Sequence, residues 1–141
     1  MKTEATSRFE LLSLALLTSL AAALRFYALG AQPLWLDEAT TADYVAKGLE
    51  GSVFAEPPHP PLFYFLEYLV TQWLGIREVT LRLAPAVLGT LAVPATWAVA
   101  RRLFPEPRAT AWATAALAAV SPFLIYLSQE ARSYSLVILL T

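Results

Sequence analysis

Uncharged residues along this chain gather into long unbroken blocks and do not alternate with polar ones. The first block, LLSLALLTSLAAAL (11–24), runs fourteen residues up to Arg25, and Phe9, Phe26 and Tyr27 extend it. The second, LAPAVLGTLAVPATWAVA (83–100), has eighteen residues, and the third, ATAWATAALAAVSPFLIYLSQ (109–129), has twenty-one. A helix needs about 20 apolar residues to cross a bilayer. The pattern therefore predicts an all-α chain with transmembrane helices at about 9–30, 82–100 and 109–128. Arg25 is expected to snorkel to the interface from the end of the first. Pro85, Pro94 and Pro122 are tolerated in transmembrane helices. The closing run SYSLVILLT holds nine uncharged residues, too few to span, and predicts a fourth helix starting at 133. This implies the front part of a longer protein, inactive by itself.

The connection from 31 to 81 has a different pattern. DEATTADYVAKGLEG reads as a short helix that Gly48 or Gly51 ends. AEPPHPPL has four prolines in six residues and cannot be helical throughout. In LFYFLEYLVTQWLG (62–75), Tyr64, Glu67, Tyr68 and Thr71 recur at helical spacing and form one narrow polar stripe. This predicts an amphipathic helix lying in the membrane interface; a re-entrant or buried helix is the competing reading.

Composition agrees with the membrane reading. The chain has 141 residues, 57% hydrophobic and only 15% charged, against about a quarter charged in soluble domains. The net charge of −1 comes with no basic cluster, so a nucleic-acid partner is not expected. With no cysteine there is no disulfide framework and no thiolate metal site. The basic residues set an orientation. Lys2 and Arg8 precede the first block, and Arg101, Arg102 and Arg108 sit between the second and third. Both places are expected to be cytoplasmic, with the N-terminus inside and 31–81 extracytoplasmic, in a multi-pass protein of the cytoplasmic (inner) membrane. The 31–81 connection holds seven acids and two bases, in agreement with that orientation. A cleaved signal peptide is the competing reading of the first block.

Chemistry concentrates on the outer side. Asp37 and Glu38 lie just outside the first predicted span, where acids in a first helical turn also suit the helix dipole. His59 is the only histidine. Glu130, Arg132 and Tyr134 follow the third block. Asp37, Glu38 and His59 form a candidate divalent-metal set (Mg, Mn or Zn), or one carboxylate is a general base. Arg132, Arg82 and Arg25 are candidate phosphate binders, and phosphate at a membrane surface points to a lipid-linked substrate.

RFYALGAQPLWLDEA, HPPLFYFL, LRLAPAVLGTLAVPATWAVARRLF and SPFLIYLSQEARSYSL, in this order, resemble the N-terminal part of the membrane glycosyltransferases related to dolichyl-phosphate-mannose protein mannosyltransferases and the lipid A aminoarabinose transferase. The likeness runs from about Arg25 to the end. It implies the GT-C fold, polytopic and all-α, with amphipathic juxtamembrane helices in the first outer loop. It also implies a polyprenyl-phosphate-linked sugar donor, a protein or lipid/glycan acceptor and inversion at the anomeric carbon. Asp37 matches the expected catalytic carboxylate, Glu38 the supporting acid and His59 the histidine of the histidine–proline–proline motif. His59, Arg82, Glu130, Arg132 and Tyr134 are expected to contact substrate. The alternatives are a transporter or channel, which acids inside the spans would favour, and a non-catalytic membrane subunit. The three blocks contain no central acid.

Overall fold

The computed structural model describes residues 2–48 and 61–141, and every regular element among them is a helix. In order these are α1 (Lys2–Phe26), α2 (Leu36–Ala46), α3 (Pro61–Leu74), α4 (Glu78–Leu103), α5 (Ala109–Val120), α6 (Pro122–Ser128) and α7 (Tyr134–Leu140). Arg8–Phe26 and Glu78–Leu103 are each long and apolar enough to cross a membrane. The α5–α6 pair qualifies only as one broken unit. Gly48 and Gly75, at φ of +75° and +76°, follow α2 and α3, where the left-handed conformation that ends a helix suits glycine.

α4 is the central helix and packs against α1, α3, α5, α6 and α7. Small residues allow this close approach. Ala111, Ala115 and Ala119 repeat every four residues and make one fully buried stripe on α5, as small-residue faces do in membrane bundles. Ala115 and Ala119 meet Ala21 of α1 and Val93 of α4 in one core. On the outside, Leu11, Leu12, Leu16 and Leu20 of α1 remain exposed, a surface suited to lipid.

Two local expectations are corrected. The third apolar block is not one straight helix: it bends by 56° between α5 and α6. Pro122 has no N–H, so the Ala118 carbonyl loses its partner four residues on, and the chain restarts with Ser121 as N-cap, its Oγ accepting from the Leu124 N–H at 3.4 Å. Arg25 does not snorkel. It is 1% exposed. Its guanidinium donates to Ala118 O at 3.0 Å and Ala119 O at 3.1 Å, the carbonyls that the break leaves bare. Its Nε reaches Ser128 Oγ at 3.3 Å. The packing leaves Gly89 no space for a side chain, because a Cβ there would lie 2.1 Å from Ser128 Oγ.

α3 is amphipathic in the inverse sense. Tyr64, Glu67 and Thr71 of its polar stripe are buried, while Leu62, Phe65, Leu69 and Trp73 are exposed. The polar stripe faces the bundle and the apolar residues face outward.

Candidate functional site

At the end of the bundle where α1 stops, the segment 129–132 crosses beneath the start of α2. Three residues of the segment take different partners. Gln129 Nε2 donates to Tyr27 O at 3.0 Å and Arg25 O at 3.2 Å, capping α1. The Ala131 N–H donates to Glu38 Oε1 at 2.9 Å, and Ala131 O accepts from Thr41 Oγ1 at 2.9 Å. Arg132 turns toward Asp37, its Nη1 donating to Asp37 O at 3.4 Å and its Nη2 standing 4.0 Å from Asp37 Oδ2. Glu130 is buried beside a cavity.

Glu38 and Arg82 form the centre. Arg82 Nε donates to Glu38 Oε1 at 2.8 Å and Nη2 to Oε2 at 2.6 Å, a bidentate pair of the strong kind. The remaining N–H groups of Arg82 go to Leu29 O at 3.0 Å, Gln32 O at 2.9 Å and Pro33 O at 3.2 Å. A guanidinium has five N–H groups, and all five are engaged. The Trp35 N–H adds a weak contact to Glu38 Oε2 at 3.4 Å, the returning half of a capping box. Burial opposes ionisation of Glu38, but the hydrogen bonds from Arg82 and Ala131 outweigh it and hold the carboxyl below its ordinary range.

The expected site residues therefore have different surroundings. Glu38 and Arg82 are fully occupied by the protein, and the pair ties the 29–33 turn to α2, α4 and Ala131. Arg25 is likewise occupied by carbonyls. Asp37, one residue from Glu38, keeps 43% of its side chain exposed, and Arg132 keeps 20%. Tyr134 opens α7 and is exposed. His59 lies outside the described residues. Among the described residues, no three histidine or acidic side chains gather in a metal-holding group. Glu38 does not suit that role while both its oxygens face a guanidinium.

Sequence reasoning missed the cavity. It has a volume of about 520 Å³, and its walls include Tyr27, Trp35, Tyr126, Gln129 and Glu130, with Glu38 and Arg82 behind. Tyr126 stands four residues before Glu130, a spacing visible in the sequence, and both line the cavity. Glu67 is a second omission. It is completely buried with both oxygens lacking a hydrogen-bond partner. α3 lies outside the candidate spans, and desolvation alone pushes this carboxyl up to about 9.

No curated protein and no solved structure matches the chain. Residues 58–141 match the family described as Dolichyl-phosphate-mannose-protein mannosyltransferase. That stretch carries Arg82, Glu130 and Arg132, while Asp37 and Glu38 precede it. The match covers more than half of an all-helical, apolar chain, and the chain belongs to the dolichyl-phosphate-mannose-protein mannosyltransferase family.

Proposed function

We propose that this chain carries the acceptor-activating end of a membrane glycosyltransferase, one that moves a sugar, mannose by family, from a polyprenyl-phosphate donor to a hydroxyl at the extracytoplasmic face. The observation that supports this most directly is the different fate of two adjacent acids. Glu38 is held ionised inside the protein by Arg82, while Asp37 stays accessible on the same rigid helix start with Arg132 beside it.

In this reading Asp37 accepts the proton of the acceptor hydroxyl as its oxygen bonds to the anomeric carbon. The bond from that carbon to the phosphate oxygen breaks, and polyprenyl phosphate leaves with the electron pair. Attack from the face opposite the leaving group inverts the carbon. A positioned base of this kind contributes roughly 10²- to 10⁴-fold. Arg132 is the cation near Asp37 suited to the departing phosphate, since Arg82 and Arg25 have their donors engaged by the protein. Glu38 and Arg82 act as positioning residues.

The test is mannosyl transfer from a radiolabelled polyprenyl-phosphate mannose by the full-length protein. Asp37→Asn keeps the size of the side chain and removes its basicity. It is expected to lose transfer by at least a hundredfold while inserting into membranes at the wild-type level. Wild-type turnover in this variant would refute the assignment.

A further inference from the structure

The 520 Å³ cavity does not include Asp37, so the proton-accepting carboxylate leaves it unexplained. Its size falls within the range of small-molecule sites. Three aromatic rings line it, from Tyr27, Trp35 and Tyr126, with the polar ends of Gln129 and Glu130 between them. Its one cation is Arg82, which has all five N–H groups engaged by Glu38 and by carbonyls. Two carboxylates, Glu38 and Glu130, border the same space. A phosphate entering it would meet no available donor of positive charge and two negative groups. A neutral polyhydroxylated ring meets aromatic faces for its C–H groups and acceptors for its hydroxyls. Those acceptors are the Glu130 carboxylate and the Gln129 oxygen, because Gln129 Nε2 is turned to the α1 carbonyls.

We propose that this cavity is a pyranose subsite, in which Trp35 and Tyr126 pack against the ring and Glu130 accepts hydroxyl hydrogen bonds, with the phosphate held outside. The inference deepens the transferase reading and rests on it for the identity of the sugar. The same ring chemistry belongs to a lipid-linked donor and to a glycan acceptor.

The probes are a short-chain polyprenyl-phosphate mannose, the same polyprenyl phosphate without sugar, and methyl α-mannopyranoside, bound at equilibrium to full-length protein in lipid nanodiscs. The variants are Trp35→Leu, Tyr126→Leu and Glu130→Gln. Trp35 and Tyr126 are exposed, so their replacement leaves the core intact. Loss of an aromatic wall is expected to weaken sugar binding by roughly 2- to 10-fold. Loss of the charged acceptor should weaken it by roughly 10- to 100-fold. Binding of the sugar-free lipid should not change. If the sugar-bearing lipid weakens, the subsite serves the donor; if only the free mannoside weakens, it serves a glycan acceptor. Unchanged affinity for both sugars in all three variants would overturn the proposal. So would displacement by tetramethylammonium but not by mannoside, which would mark the cavity as a cation site. Asp37→Asn should bind both sugars normally. Full transfer activity in that variant, with sugar binding still dependent on Trp35, would refute the proposed role of Asp37 and leave the subsite standing.

Discussion

Asp37 and Glu38 are neighbours in sequence, yet substitution should affect them in different ways. Removing one member of a buried ion pair costs about 3–5 kcal/mol, because its partner is left uncompensated. Glu38→Gln is therefore expected to lower the thermal stability of the purified protein strongly, and Asp37→Asn hardly at all, as differential scanning fluorimetry would show. Equal melting temperatures would refute this. The Glu38 carboxyl lies below its ordinary range in the folded state. Its stabilisation is thus present at neutral pH and is lost only as pH falls through that lowered value. Glu67 acts in the opposite direction. Its folded value of about 9 stands above the ordinary 4.5, so the folded state holds the proton more tightly than the unfolded one. Stability should fall as pH rises from about 4.5 towards 9, by at most about 1.4 kcal/mol per unit, and Glu67→Gln should remove that slope. Parallel melting curves for wild type and Glu67→Gln between pH 6 and 9 would contradict it. The sequence made the acids and their helix-start position legible. It did not reveal which acid turns inward, because that depends on Arg82, forty-four residues away, and on a backbone N–H that has no residue signature.

Among the elements, the bend between α5 and α6 is the most informative. An internal proline was visible in the sequence, but whether it kinks a span or breaks it depends on where the freed carbonyls find donors. Here a side chain of α1 supplies them. Arg25→Met is expected to leave the Ala118 and Ala119 carbonyls unpaired at about 1–3 kcal/mol each. Gly89→Ala should act on the same joint from the other side, since its Cβ would press on Ser128. Overpacking of this kind costs about 1–3 kcal/mol. Melting temperatures of both variants check this, and a wild-type value for Gly89→Ala would show that α6 yields. α3 teaches a related lesson. The spacing of its polar stripe is legible in the sequence, but the way the stripe turns is not, because spacing specifies a face and tertiary packing decides where that face points.

At the scale of the whole molecule, Arg101, Arg102 and Arg108 lie at one end of the bundle, where Arg108 pairs with Glu10 at 2.9 Å, and the candidate site, with Arg82 and Arg132, occupies the other. The helical class and the order of apolar blocks were legible because hydrophobic length is a property of the chain alone. The cavity was not, since three separate stretches of chain, 24–38, Arg82 and 125–130, wall it. The orientation proposed from the basic residues predicts that a cysteine at Ala39 reacts with an impermeant thiol reagent on intact cells, and one at Glu106 only after permeabilisation. The chain has no native cysteine to confuse the result, and the reverse pattern would invert the topology. The contact between Arg25 and the α5–α6 break also has a consequence in time. The guanidinium lies 93 residues ahead of Ala118. At about 5–20 residues per second, α1 leaves the ribosome roughly 5–20 s before its acceptors exist. During that interval the arginine needs substitute partners from water or the insertion machinery. Chains arrested before residue 118 are expected to crosslink through α1 to that machinery, and chains long enough to insert α6 are expected to be released from it.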